Sequence, residues 1–201
     1  MALATFVKIS TVTNLSDARY CAGMGVDAIG FRLEEGQPGY VTPTVFHGIT
    51  EWLAGVALVG EFLGQNAAQI TEIAKEYALD YVQIDHADLV PELKTLSAKL
   101  ILRVQPEQMD ANTLESLKSV ADQVAFILVE PEADYSQPDL LGTLAASDLP
   151  LVIGFDVEEQ RLDELKAGFK GIALKGTEEE KPGFKDYDEL MDILEALEVE
   201  D

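Results

Sequence analysis

Eight short β-rich runs alternate with eight helix-like segments along this chain, and that alternation constrains the fold more than any other feature. The runs are TFVKIS, DAIGF, GVALVGEF, YVQID, KLILRV, VAFILVE, LPLVIGF and GIALKG. Helical signals lie between them. Asn14 or Ser16 opens the first helix, which Gly23 or Gly25 closes. Pro43 sits near the first turn of the second. NAAQITEIAKEYA carries apolar residues at helical spacing, and VPELKTLS, DANTLESLKSVA, QPDLLGTLAA, VEEQRLDELKA and FKDYDELMDILEALE follow the later runs. Strands that alternate with helices pair in parallel. Eight such units in 201 residues predict one closed (β/α)8 barrel over residues 1–201, a TIM barrel, with a short acidic C-terminal tail. An open doubly wound sheet is the alternative, but no GxGxxG follows the first run, which weakens a dinucleotide-binding version.

Charge narrows the partners. The chain holds 37 acidic and 14 basic residues, a formal net charge of −23. Nucleic-acid binding rests on Lys and Arg neutralising phosphates, so none is expected here. The same charge argues against an anionic membrane surface, and no apolar run approaches the roughly 20 residues of a membrane span. Residues 178–201 hold 11 acids against Lys181 and Lys185 and read as a solvated acidic helix and tail. The N-terminus lacks the charged-then-apolar pattern of a signal peptide, and Cys21 alone makes no internal disulfide, so a cytoplasmic protein is expected. Two histidines, His47 and His86, and no cluster at ligand spacing predict no metal and no cofactor. A monomer and a homodimer both fit.

Period-two alternation puts Lys8 and Ser10 on one face of the first strand. The C-terminal strand ends of such a barrel carry its site, so the pair is expected inside the mouth.

Several motifs then resemble one family. VKISTVTNLSDA resembles the KICGIT-N-DA opening of phosphoribosylanthranilate isomerases of tryptophan biosynthesis. GVDAIGF resembles their GADAVGF, GYVTP their RYISP, YVQID their VQLHG, and KPGFKDYDEL the PGKKD before their last helix. The resemblance covers nearly the whole chain, in order. It implies an Amadori rearrangement in which an aspartate, as general acid, opens the ribose ring and a cysteine, as general base, removes the C2′ proton. It also implies a substrate phosphate held by backbone amides after strands 7 and 8.

The chain departs from that pattern where the chemistry lies. Ser10 stands at the position of the general base, and a serine hydroxyl is no base at neutral pH unless something activates it. Cys21, in the first helix, reads as packing. The general-acid position aligns with Val129, an apparent loss, and Glu130 is one residue on. A one-residue shift turns a strand side chain to the other face, so Glu130 substitutes as the acid only if the strand end bulges. The phosphate loop SGG becomes Gly154, Phe155 and Asp156; SSG becomes Lys175, Gly176 and Thr177, followed by Glu178, Glu179 and Glu180. Ala173 replaces an aspartate, and Gly39 replaces the arginine before YISP.

The mouth remains polar. Lys8, Arg32, Arg103 and Lys175 fall at strand ends, as do Glu61, Asp85, Glu130, Asp156 and His86. The main expectation is an isomerase-like barrel that has lost the isomerase reaction and binds or transforms another small anionic molecule, its acid group near Lys8, Arg32 and Arg103. An active aldose–ketose isomerase using Ser10 or Glu130 is the first alternative. A protein-binding scaffold, whose mouth charges pair only with one another, is the second.

Overall fold

The eight runs become eight parallel strands in a computed structural model that describes residues 2–132, 140–176, 179–181, 184–185 and 188–199. They are β1 (Phe6–Ser10), β2 (Ala28–Arg32), β3 (Ala57–Glu61), β4 (Tyr81–Ile84), β5 (Lys99–Val104), β6 (Phe126–Val129), β7 (Leu151–Ile153) and β8 (Gly171–Lys175). They pair in sequence order, and β8 returns to β1, so the sheet closes into a barrel. Closure rejects the open doubly wound sheet.

The connecting helices are α1 (Leu15–Gly23), α2 (Pro43–Thr50), α3 (Ala67–Ala74), α4 (Ala111–Lys118), α5 (Leu140–Ala145), α6 (Leu162–Gly168) and α7 (Asp188–Ala196). Their starts follow local chemistry. Asn14, Thr42, Asn66 and Asp110 each accept a bond from a backbone N–H of the first turn, and Pro43 supplies a preset φ after Thr42. One expectation is corrected. VPELKTLS forms no α-helix: a 3-10 turn covers Ala87–Leu89 and turns follow, with Pro91 unable to donate a backbone bond. Trp52 lies beyond the end of α2 with 64% of its surface exposed. An unforeseen antiparallel pair, β9 (Glu179–Lys181) and β10 (Phe184–Lys185), follows β8.

Alternation along the strands builds two apolar layers. Ala28, Val59, Ile101, Phe126, Leu128, Val152 and Ala173 fill the bore. The intervening residues, Val129 and Ile153 among them, pack outward beneath the helices. The β8–β1 seam leaves no space at Gly171, where a Cβ would lie 2.3 Å from the Phe6 carbonyl oxygen. Gly171→Ala is therefore expected to destabilise by roughly 1–3 kcal/mol. Urea unfolding checks this: the midpoint falls while the slope stays constant. Among the described residues no helix is long and apolar enough to cross a membrane.

Candidate functional site

Lys8 lies level with Ala28 of β2 and Ala173 of β8, both in the bore. Two alanines leave room for its side chain, which is fully buried. Its Nζ donates to Glu61 Oε1 at 2.7 Å and to Ser10 Oγ at 2.8 Å. Ser10 Oγ donates onward to Glu130 Oε1 at 2.7 Å. Arg103 Nε donates to Glu130 Oε2 at 3.1 Å, its Nη1 to Asp85 Oδ2 at 2.8 Å and its Nη2 to the Pro131 carbonyl at 3.2 Å. One buried polar chain thus runs Glu61, Lys8, Ser10, Glu130, Arg103, Asp85 across the mouth. Lys8 and Ser10 share the inner face, as alternation required.

Two glycines make the space. A Cβ at Gly30 would sit 2.0 Å from Glu61 Oε1 and 3.0 Å from Lys8 Nζ. A Cβ at Gly154 would come within 3.1 Å of the Glu130 Cβ and Cγ.

The placement of Glu130 corrects the sequence reading. Phe126 and Leu128 face the bore, and Val129 faces the helices. The ladder continues without a bulge, the Glu130 amide donating to the Val104 carbonyl at 3.0 Å. Period two therefore turns Glu130 inward, and Val129 never reaches the mouth. Counting from Phe126 would have found this; aligning on the motif misplaced it by one residue.

Charge sets the protonation behaviour of the chain. Burial alone would push the Glu61 carboxyl up, but the Lys8 ammonium, with help from Arg32 and Thr11, holds it below the usual range. Burial would likewise discharge Arg103, but Asp85 and Glu130 hold its guanidinium charged more firmly than usual. Asp85 behaves in the opposite sense. Burial pushes its carboxyl up to about 6 despite Arg103, and its Oδ1 has no hydrogen-bond partner among the described residues. A raised folded value means the folded state binds that proton more tightly. Stability from Asp85 is thus full at pH below the unfolded value near roughly 4, and it is lost as pH rises through about 6. The Asp85→Asn variant is expected to lack this decline, worth roughly 1–3 kcal/mol. Chemical denaturation of both proteins at several pH values checks it by difference.

The remaining expected residues divide. Arg32 and Lys175 line a mouth cleft of about 840 Å3 together with Ser10, Thr11, Arg103 and Gly176. Arg32 Nη1 donates to the Pro38 carbonyl at 2.9 Å, and its Nη2 lies 3.5 Å from Thr11 Oγ1. Gly176 spends its amide on the Ser10 carbonyl at 2.8 Å. His86 is exposed and does not line the cleft. The expectation that Lys8 and Arg103 greet a ligand's acid group is corrected, because carboxylates already occupy both. Asp156, one of the charged residues expected at the strand ends, is paired with Arg161 at 2.7 Å. Phe155 is buried in the outer core. Thr177 and Glu178, and the side chains of Glu179 and Glu180, lie outside what is described. Among the described residues no three His, Cys, Asp or Glu side chains are placed to hold a metal ion.

Comparisons with known proteins agree with the strand-end motifs. A scan against protein-family models finds no match. An N-(5'-phosphoribosyl)anthranilate isomerase of Gloeothece citriformis is 28% identical, over 95% of this chain and 93% of that protein. The Deinococcus radiodurans isomerase is 30% identical over 66% of this chain and 65% of its own length. The chain is a relative of the phosphoribosylanthranilate isomerases. The solved isomerase of Thermus thermophilus superposes with a TM-score of 0.78 at 22% identity, covering 96% of this chain and 98% of that one. A phosphoribosylanthranilate isomerase solved with reduced 1-(o-carboxyphenylamino)-1-deoxyribulose 5-phosphate superposes at 0.73, with 21% identity. The isomerase-like barrel is thus the shared frame. Ser10, Thr11 and Gly39 are where this chain changes the isomerase motifs, at the mouth.

Proposed function

We propose that this isomerase-like barrel does not run the phosphoribosylanthranilate rearrangement and instead holds another small anionic molecule at its mouth. The observation that carries this reading is Ser10. It stands at the base position, and its hydroxyl is locked, accepting from Lys8 and donating to Glu130 at 2.8 and 2.7 Å. Removing a C2′ proton requires a free acceptor of suitable basicity. The phosphate grip is weakened as well, since Phe155 packs into the core and the Gly176 amide bonds to Ser10. Purified protein with phosphoribosylanthranilate is expected to show no fluorescence change above the uncatalysed rate. Sustained turnover sinks the reading.

A second reading rests on Glu130. An inward carboxylate at the end of β6 supports an active isomerase in which Glu130 takes the aspartate's role. Both Glu130 oxygens already accept hydrogen bonds, from Ser10 and Arg103, so the carboxyl group is engaged within the protein rather than turned free toward a substrate. That favours the first reading. A cytoplasmic location and a monomeric or dimeric state are part of the same proposal, as is one domain over the whole chain.

A further inference from the structure

Among the described residues the mouth holds four cations, and two of them are ion-paired. Lys8 is paired with Glu61, and Arg103 with Glu130 and Asp85. Arg32 and Lys175 have no ion pair among the described residues, and both line the cleft. The three buried carboxylates are spent on Lys8 and Arg103, which leaves Arg32 and Lys175 without an anionic partner among the described residues. Glu132 also lines the cleft; it is exposed, so water and salt screen its charge, and its carboxylate accepts from Gln105 at 2.9 Å. Glu34 is turned away, accepting the amides of Leu63 and Gly64.

Arg32 is held in position. The Pro38 carbonyl fixes one nitrogen, and Thr11 Oγ1 lies beside another. Thr11 itself occupies the left-handed region, with φ 56°, where a β-branched residue is strained. Its Oγ1 and amide are held there by Glu61 at 3.0 and 3.2 Å. Across the cleft wall, Gly39 has φ 77°, and a Cβ there would lie 2.8 Å from the Thr11 methyl. The isomerase motifs carry glycine at the first of these positions and arginine at the second. Here the bulk is exchanged: Thr11 fills the space beside Gly39, and Arg32 is the cation on that side of the cleft.

We propose that Arg32 and Lys175 form the seat for a single carboxylate, and that the ligand is a small hydroxylated monocarboxylic acid. This rests on the anion-binding reading above. The remaining wall is uncharged and polar, from Thr11, Thr13, Asn14 and Gln37, which suits hydroxyl groups. The cleft volume is that of a small-molecule site. Thr11 is a positioning residue that acts through Arg32.

Calorimetric titration with D-gluconate, uncharged D-sorbitol and inorganic phosphate tests the assignment. Gluconate is expected to bind, sorbitol to bind far more weakly, and phosphate more weakly than gluconate. Arg32→Met is expected to weaken gluconate at least about tenfold, the scale of a lost charge-assisted bond. Lys175→Met, an exposed position, does so without any risk to folding. Thr11→Val weakens gluconate, and Thr11→Ser, which keeps the hydroxyl, restores it. Gluconate binding that is unaffected by the Arg32 and Lys175 variants overturns the seat and leaves the anion-binding reading standing. So does tighter binding of phosphate than of gluconate. No binding of any acid at millimolar concentration overturns both.

Discussion

Glu61→Ala is expected to cost about 3–5 kcal/mol of stability, because it leaves the Lys8 ammonium charged and without a carboxylate in the bore. The two side chains are 0% and 1% exposed, and their N···O separation is 2.7 Å. Water cannot reach Lys8 to replace the lost partner, and Ser10 Oγ supplies a dipole, not a charge. For a chain of this size the loss lowers Tm by on the order of 10 °C. Removing both charges tells a different story. Lys8→Met with Glu61→Leu deletes the pair and its desolvation cost together, and such replacements are near neutral or stabilising by about 1–4 kcal/mol. Thermal unfolding of the single and double variants decides it. A single variant as stable as the parent would show that Lys8 is solvated or uncharged in the bore. Gly30→Ala offers a route without touching either charge, since the added Cβ displaces Glu61 Oε1.

Ser10→Cys is expected to restore no isomerisation of phosphoribosylanthranilate. Each proton-transfer group in such a reaction contributes about 10²–10⁴-fold, so a base restored to a working site would be obvious. The new thiol would enter a position already bonded on both sides, by Lys8 and Glu130. On the proposed reading the phosphate loops after β7 and β8 are altered as well, and groups that act as one unit do not recover singly. The assay is fluorescence turnover, supported by complementation of a tryptophan auxotroph. Turnover in the parent chain that Glu130→Gln abolishes would instead establish the active-isomerase reading and assign the role to Glu130.

The strand and helix alternation, the caps at Asn14, Asn66 and Asp110, and the inward face shared by Lys8 and Ser10 are determined by the sequence alone, because each depends on residues a few positions apart. The failed helix at VPELKTLS shows the limit of local signals: Val90 and Leu93 are buried in the core without a helix, so apolar spacing records burial and does not by itself fix the backbone. The inward turn of Glu130 was also within reach of the sequence, through the period from Phe126 and Leu128.

What only the tertiary structure decided is which charges neutralise which. Lys8 and Glu61 are 53 positions apart, and Ser10 and Glu130 are 120 apart. A list of Lys, Arg, Asp and Glu at strand ends therefore cannot distinguish a satisfied cation from a free one. Barrel closure brings β1 within reach of both β3 and β6, so Lys8 and Arg103 are consumed inside the mouth and Arg32 and Lys175 are left facing the cleft. The exchange of bulk between Thr11 and Gly39 is similarly invisible in one dimension: it exists only because the loop after β2 folds back until its glycine touches the first residue beyond β1.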